Sequence, residues 1–277
     1  MTAPLPDVTR FLIDFNVHAV AAALGVPIPA EAEALLYGVA ATDLAAYQAE
    51  IDAELAQTAQ AFHAHRGITA LSKLLPAGKR VLCIGDSITT YRRSYARLLE
   101  HLLAPHGIEV VNRGFSGYTS THGLELTYTQ FLSLQPDLVF IKYGVNDCKQ
   151  FGGEQTLVSR AEYERNLTRI IAAFRQHTQA RIVVLTPTPV VEGVVNANPD
   201  IQAMRLVWSN DVLHQFADAA LTAALQAGVL GIDLWPVFGP LPDAALYCAD
   251  GLHPNAAGQT RLLAHVLERI SDYLQQG

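Results

Sequence analysis

The sequence of 277 residues predicts an α/β fold, in which a central parallel sheet of about five strands lies between two layers of helices. Short runs in its second part are apolar at nearly every position, as is typical of strands buried on both faces of a parallel sheet. Longer stretches with helical periodicity alternate with these runs. Repeated strand–helix–strand units of this kind predict a doubly wound sheet with helices on both sides.

The first part of the chain predicts a helical extension without strands. Residues 9–24 form one helical candidate, and Pro29 with the acidic residues after it opens another. Apolar residues at steps of three, four and seven then predict a long amphipathic helix closed by Gly67. Those residues are Leu44, Tyr47, Ile51, Leu55 and Phe62. Near Pro76 the sequence changes from helical periodicity without strand signals to alternating strand and helix patterns. We therefore predict an extension over residues 1–78 and a second domain over residues 79–277.

The second domain supplies the elements of the sheet in order. The predicted strands are residues 80–85, 108–112, 138–144, 181–186 and 229–234. The predicted helices between and after them are residues 95–103, 160–177, 204–227 and 255–274.

Composition narrows the class of protein. With 50% hydrophobic and 16% charged residues, the chain can bury a large core. The net charge of −7 and a pI near 5.8 disfavour nucleic acid and anionic membranes as partners. Three cysteines without metal-ligand spacing favour a reducing compartment, and polar residues through the first 30 positions argue against a signal peptide or membrane span. We therefore expect a cytoplasmic protein.

Four short polar segments follow predicted strands or lie in the last loop. They are Gly85-Asp86-Ser87-Ile88, Gly114-Phe115-Ser116-Gly117, Gly144-Val145-Asn146-Asp147 and Asp250-Gly251-Leu252-His253-Pro254. In a doubly wound sheet, ligands bind beyond the carboxyl ends of the strands, which is where these segments fall. Each segment alone is ordinary turn or cap chemistry, but together and in this order they predict one site.

The site contains the groups that acyl transfer through a serine requires. Ser87 is the candidate nucleophile, His253 the base that removes its proton, and Asp250 the carboxylate that orients the imidazole. The Ser87 N–H, the Gly117 N–H and the Asn146 amide are the candidate donors of an oxyanion hole. Ser87 does not lie in the Gly-x-Ser-x-Gly turn of the α/β-hydrolases.

These residues resemble the SGNH hydrolases, also called the GDSL lipase and esterase family. The family is named for Ser, Gly, Asn and His, which match Ser87, Gly117, Asn146 and His253, and its triad aspartate matches Asp250. The resemblance covers residues 79–277 and implies a flavodoxin-like α/β/α sandwich. Two departures are Ile88 in place of leucine and a short segment after it, 90–93, where many members carry a glycine-containing loop.

We therefore expect a serine esterase that hydrolyses carboxylic esters, of short acyl or acetyl groups, through an acyl-serine intermediate and without a cofactor. An acyltransferase or a carbohydrate deacetylase on the same scaffold is the first alternative, so the substrate is a small-molecule or a carbohydrate ester. An alternative of another class is a catalytically silent binding or oligomerisation module. The extension is expected to be a lid, a brace, or an element that forms a homo-oligomer, because its apolar stripe has to be buried.

Several charged residues near the segments have structural alternatives. We expect Asp86 and Asp147 to brace their loops through backbone N–H groups. Lys142 interrupts an apolar strand, which indicates either an edge position or a partner carboxylate. Arg92 and Arg93 either start a solvated helix or contact an acidic substrate.

The long connection 187–201 is predicted to line the pocket, with Pro189 and Val190 shaping its specificity. Cys148 and Cys248 are expected to be small buried thiols.

Overall fold

The computed structural model describes residues 5–16 and 28–276. In chain order the strands are β1 (Arg80–Gly85), β2 (Glu109–Gly114), β3 (Leu138–Lys142), β4 (Gln150–Phe151), β5 (Gln155–Thr156), β6 (Arg181–Leu185), β7 (Leu206–Val207) and β8 (Leu230–Ile232). The helices are α1 (Asp7–Asp14), α2 (Ala30–Leu36), α3 (Ala41–Gln60), α4 (Arg66–Leu74), α5 (Ser87–Thr90), α6 (Tyr95–Leu103), α7 (Ser120–Leu126), α8 (Arg160–His177), α9 (Glu192–Val195), α10 (Pro199–Ala203), α11 (Asn210–Ala227), α12 (Trp235–Phe238) and α13 (Ala256–Gln276).

The central sheet is parallel, with the strand order β2-β1-β3-β6-β8. This is the flavodoxin-like order, in which strands are added first on one side of β1 and then, from β3 onward, on the other. Alternate strand residues face two separate hydrophobic cores: Val81 and Cys83 face one, and Leu82 and Ile84 face the other. The predicted α/β fold is confirmed, and the switch point lies where the Ser87 and Asn146 segments leave the sheet.

The helical extension shares a core with one face of the sheet. Helix α3 packs against α6, and α4 packs against α13. Ile51 and Leu55 of α3 are buried in the same cluster as Leu98 and Leu99 of α6. The apolar stripe predicted from the sequence is therefore buried within the chain itself.

Two boundaries in the extension differ from the prediction. Gly67 does not close the amphipathic helix, which ends at Gln60; it lies in the first turn of α4. A Cβ at Gly67 would lie 2.4 Å from the Leu267 carbonyl oxygen, so this glycine serves the close contact between α4 and α13. The helix predicted for residues 9–24 ends at Asp14 and is followed by Asn16 at a φ of 43°; residues 17–24 lie outside the described residues.

The helices and strands predicted after residue 78 recur in the structure with small shifts in their bounds. The strand 80–85 and the helices 95–103 and 160–177 have the predicted bounds. The helix predicted from 204 begins at Asn210, because Leu206–Val207 pairs with Gln150–Phe151 in a small antiparallel sheet of order β5-β4-β7. None of the helices in the described residues is both long and apolar enough to cross a bilayer.

Candidate active site

The turn that carries Ser87 is fixed by the strand before it, by Asp86 and by Gly85. Ser87 is the first residue of α5, directly beyond β1, and is 5% exposed. Asp86 caps α5, because its Oδ1 accepts a hydrogen bond from the Ile88 N–H at 3.0 Å. A Cβ at Gly85 would lie 2.3 Å from Thr89 Oγ1, so only glycine allows the turn to fold this tightly. Strand, cap and glycine together place Ser87 at the carboxyl edge of the sheet.

Ser87, His253 and Asp250 form a continuous chain of hydrogen bonds. Ser87 Oγ lies 2.8 Å from His253 Nε2, and His253 Nδ1 lies 2.6 Å from Asp250 Oδ2. The tautomer that satisfies both bonds carries its hydrogen on Nδ1, which donates to the carboxylate and leaves Nε2 to accept from Ser87. The structure therefore brings together the three residues predicted as nucleophile, base and orienting acid.

The loop that carries the acid and the base is held in place by backbone bonds. Asp250 Oδ1 accepts from the His253 N–H at 3.1 Å, and the Cys248 N–H donates to the His253 carbonyl at 2.8 Å. Burial opposes ionisation of Asp250, but its hydrogen bonds to His253 hold the pKa of this carboxyl below its ordinary value. Asp250 therefore stays ionised where it faces the imidazole.

The Gly117 turn and Asn146 are joined to each other. The Tyr118 N–H donates to the Phe115 carbonyl at 3.2 Å, and Gly117 has a φ of 81°, as the third residue of a type II turn requires. Asn146 Nδ2 donates to the Tyr118 carbonyl at 3.0 Å. An amide has two hydrogens, and within the described residues the second has no acceptor. The two predicted oxyanion donors beyond Ser87 therefore belong to one hydrogen-bonded unit.

Asp147 holds the unit of the Gly117 turn and Asn146 in place through hydrogen bonds to Ser120. Its carboxylate accepts from the Ser120 N–H at 2.9 Å and from Ser120 Oγ at 2.5 Å, which ties the start of α7 to the Asn146 segment. Asn166 Nδ2 donates to Ser120 Oγ at 3.0 Å. Burial raises the pKa of Asp147 to about 7, against the lowering effect of the Ser120 bonds. The expected role of Asp147 as a loop brace is confirmed, as it is for Asp86 at Ile88.

Lys142 forms a buried ion pair with Asp86, the residue before the candidate nucleophile Ser87. Its Nζ lies 3.8 Å from Asp86 Oδ1, and both side chains are fully buried. Burial lowers the pKa of Lys142, and the neighbouring carboxylate opposes that shift. The partner-carboxylate alternative is thus confirmed; the edge position is wrong, because β3 lies between β1 and β6.

Arg92 and Arg93 contact the extension, so neither expected alternative holds. Arg92 pairs with Glu33 at 2.9 Å. Arg93 is 10% exposed at its side chain and pairs with Asp14 at 2.9 Å and Glu54 at 2.6 Å. The two guanidinium groups therefore join the nucleophile segment to α1, α2 and α3, a use that the local sequence did not reveal.

The connection 187–201 supports the acid–base loop. The Pro189 carbonyl accepts from the Tyr247 hydroxyl at 2.6 Å. Val190 is fully buried, and its backbone N–H and carbonyl are both bonded to the Asn210 side chain, at 2.9 and 2.8 Å. A role of Pro189 and Val190 in specificity stays a prediction.

Sequence reasoning missed Phe15, whose ring centroid lies 4.2 Å from that of His253. Phe11 and Phe15 are spaced four residues apart, which ordinarily indicates a core-facing helix and gives no sign of a distant site.

Two cysteines lie beside the motifs of the site, and the described part of the chain holds no cluster of metal-ligating side chains. Within residues 5–16 and 28–276, no group of three or more histidine, cysteine, aspartate or glutamate side chains is placed to hold a metal ion. Cys148 is buried as expected, whereas Cys248 is partly exposed. Burial raises the pKa of the Cys248 thiol to about 12, so it stays protonated at neutral pH.

Comparison with known proteins identifies the family. The model of the GDSL-like Lipase/Acylhydrolase family matches residues 83–261. The isoamyl acetate-hydrolyzing esterase 1 homolog of Homo sapiens is 30% identical over 200 residues, which cover 68% of this chain and 79% of the relative. An acetylxylan esterase of Geobacillus stearothermophilus is 25% identical over 220 residues, which cover 70% of this chain and 94% of the relative.

Solved structures agree with the fold. A catalytic mutant of Axe2, an acetylxylan esterase from Geobacillus stearothermophilus, matches with a TM-score of 0.56 and 25% identity, covering 71% of this chain and 95% of that one. An alpha/beta hydrolase enzyme from the metagenome of Lake Arreo matches with a TM-score of 0.57 and 25% identity, over 71% of this chain and 97% of that one. The chain therefore belongs to the GDSL-like lipase and acylhydrolase family, the SGNH hydrolases, and is a carboxylic ester hydrolase.

Proposed function

We propose that the protein hydrolyses esters of short acyl groups, above all acetyl, through an acyl intermediate on Ser87. The observation that carries the proposal is the hydrogen-bonded chain from Ser87 Oγ to His253 Nε2 at 2.8 Å and from His253 Nδ1 to Asp250 at 2.6 Å. A serine hydroxyl attacks an ester only when a positioned base removes its proton. These two hydrogen bonds hold the imidazole of His253 beside the hydroxyl in the tautomer that can accept the proton.

In the acylation step, Ser87 Oγ attacks the ester carbonyl carbon while its proton moves to His253 Nε2. The carbonyl oxygen becomes an oxyanion, which accepts hydrogen bonds from the Ser87 N–H, the Gly117 N–H and Asn146 Nδ2. The imidazolium, stabilised by Asp250, then protonates the leaving alkoxide as the carbon–oxygen bond breaks. The alcohol leaves, and the acyl group stays on Ser87.

Deacylation repeats these steps with water, in place of the Ser87 hydroxyl, as the nucleophile. His253 takes one proton from the water, whose oxygen attacks the acyl carbon to give a second oxyanion in the same hole. The proton then returns to Ser87 Oγ as its bond to the acyl carbon breaks. The carboxylic acid leaves, and the triad is restored.

The acyl preference is inferred from the relatives. Isoamyl acetate and acetylxylan, which their names give, share the acetyl group and differ in the alcohol. A pocket that is small on the acyl side and open on the alcohol side serves both kinds of ester. The acetylxylan esterases favour a second candidate on the same site, removal of acetyl groups from a carbohydrate.

The test is hydrolysis of a p-nitrophenyl ester series, from acetate to a long-chain acyl group, by the wild type and by Ser87→Ala. Ser94→Ala is a matched control, because Ser94 is a buried serine that caps α6 instead of facing His253. We expect turnover of acetate by the wild type and the control, and loss of turnover in Ser87→Ala. Activity that persists in Ser87→Ala would exclude Ser87 as the nucleophile.

Acetate release from acetylated xylooligosaccharides tests the second candidate. Faster release from these than from simple acetate esters favours carbohydrate deacetylation. Transfer of the acyl group to added alcohol or sugar, in preference to water, indicates an acyltransferase instead.

A further inference from the structure

The end of α1 lies directly over the candidate triad. The Phe15 ring packs against His253 with centroids 4.2 Å apart, and it also stacks against Tyr91 with centroids 4.9 Å apart. Phe11 lies one turn earlier, with its centroid 4.6 Å from that of Phe15 and 6.1 Å from that of His253. Phe15 is 2% exposed, although it belongs to the extension and not to the α/β domain. The extension therefore contributes an aromatic wall to the site.

Backbone hydrogen bonds hold this wall in place. Three consecutive carbonyls at the end of α1 each accept a hydrogen bond from the domain that carries the triad. Arg92 Nε donates to the Ile13 carbonyl at 2.8 Å, and the Arg92 N–H donates to the Asp14 carbonyl at 2.7 Å. Ser116 Oγ donates to the Phe15 carbonyl at 2.6 Å. These bonds tie the end of α1 to Ser116, which lies in one of the four site segments, and to Arg92, which follows another.

Side-chain pairs reinforce the same attachment. The Asp14 carboxylate accepts from Arg93 at 2.9 Å and from the Tyr47 hydroxyl at 2.9 Å. Asp14 is 16% exposed at its side chain, so these bonds form in a largely desolvated place, where a charge pair is screened little by solvent. Phe15 is thus anchored through its own carbonyl and through the residue before it.

These anchors place Phe15 beside both the candidate base and the candidate oxyanion hole. Its ring touches the base, His253, and its carbonyl is bonded to Ser116, the residue before the oxyanion donor Gly117. An acyl carbon on Ser87 has to lie between the same two groups. Either the acyl chain or the alkoxy group on that carbon therefore meets the Phe15 ring. The relatives share an acetyl group and differ in the alcohol, which favours the acyl chain.

We propose that Phe15 is a specificity-determining residue that closes the acyl side of the site and restricts the substrate to esters of short acyl groups. The inference rests on the proposed ester hydrolysis through Ser87. It makes the extension part of the active site: without Phe15, the domain of residues 79–277 has the same nucleophile and base but no wall at this position.

The test compares kcat/KM for p-nitrophenyl acetate, butyrate and hexanoate among the wild type, Phe15→Leu and Phe15→Ala. One methylene in an apolar pocket changes kcat/KM by about 10- to 200-fold. We therefore expect the hexanoate-to-acetate ratio to rise by at least about tenfold in Phe15→Ala and by an intermediate factor in Phe15→Leu. Each ratio is taken within one preparation, so a lower folded fraction in a variant cancels.

Phe62→Ala is the matched control. Phe62 is an aromatic residue of the extension that is buried like Phe15 but packs against His65 and not against the triad. Its removal should lower thermal stability while leaving the acyl ratio unchanged. A ratio that changes equally in both variants assigns the effect to general loosening of the extension and overturns the proposal.

Two further outcomes separate this proposal from the one on which it rests. A wild type that turns over none of the esters contradicts the proposed function. A wild type that is active, with Phe15 variants whose acyl ratio is unchanged, contradicts only the role of Phe15. Acetate esters of alcohols of increasing size are measured beside the acyl series, to show whether Phe15 restricts the acyl chain or the alcohol. A change in kcat/KM that is confined to the alcohol series would overturn the acyl assignment.

Discussion

Lys142→Met removes one charge from the fully buried pair of Lys142 and Asp86, and the structure allows its cost to be worked out. Nζ of Lys142 and Oδ1 of Asp86 are 3.8 Å apart. At that distance two unit charges attract by about 4 kcal/mol at an effective dielectric constant of about 20. Methionine fills a similar volume, so the main loss is electrostatic. The Asp86 carboxylate is left buried without a charged partner, which typically costs about 3 to 5 kcal/mol.

Thermal unfolding followed by circular dichroism measures this cost. For a chain of this size each kcal/mol corresponds to about 2 °C in Tm, so Lys142→Met should lower Tm by roughly 6 to 10 °C. A double-mutant cycle adds the variant Asp86→Asn, which keeps the Oδ1 acceptor for the Ile88 N–H, and the double variant of Lys142→Met with Asp86→Asn. Because the double variant contains no unpaired charge, we expect its Tm to recover most of the loss.

Two results would refute this reasoning. A Tm for Lys142→Met within about 1 °C of the wild type would mean that the pair stabilises little, as is common for exposed pairs but not for a fully buried one. A double variant no more stable than Lys142→Met would place the loss in packing instead of in the uncompensated Asp86 carboxylate.

Three further changes test the site and its support. Asn146→Ala removes one oxyanion donor and should lower kcat by about 10²- to 10³-fold with little change in KM; a kcat close to that of the wild type contradicts this role. Asp147 has a pKa raised by burial from 3.8 to about 7, so the folded protein binds the extra proton between these values and stability falls as pH rises from about 4 to about 7. Relative to Asp147→Asn, the wild type should lose at most about 4 kcal/mol over that range, and parallel curves of Tm against pH argue against the shift. Arg93→Met leaves the buried Asp14 carboxylate without its guanidinium, so amide hydrogen exchange of residues 7–15 should accelerate; unchanged exchange shows that the other anchors suffice.

The site could be predicted from the sequence because its motifs are short and local, and because the topology of the sheet brings those motifs together. Ser87 and Asn146 each follow a buried strand, and adjacent parallel strands end at the same edge of the sheet. Knowing the order of strands and segments is therefore enough to bring the serine and the amide together. The triad loop follows from its own short spacing, since Asp250 and His253 are three residues apart.

The contacts of the extension were out of reach for the opposite reason. The pair between Arg93 and Asp14 spans 79 positions, and the bond from Ser116 to the Phe15 carbonyl spans 101. No periodic pattern links such distant residues, and Arg93 in isolation looks like a solvated charge. Gln150–Phe151 and Leu206–Val207 were missed because two-residue strands are too short to show alternation.

The bond between Ser87 and His253 joins residues that are 166 positions apart in the chain. During synthesis at about 5 to 20 residues per second, roughly 10 to 30 seconds separate the appearance of the hydroxyl from that of the imidazole. Throughout that interval Ser87 is an ordinary alcohol with no base beside it. Under the proposed mechanism, the newly made chain therefore gains esterase activity only after the loop that carries Asp250 and His253 has been added.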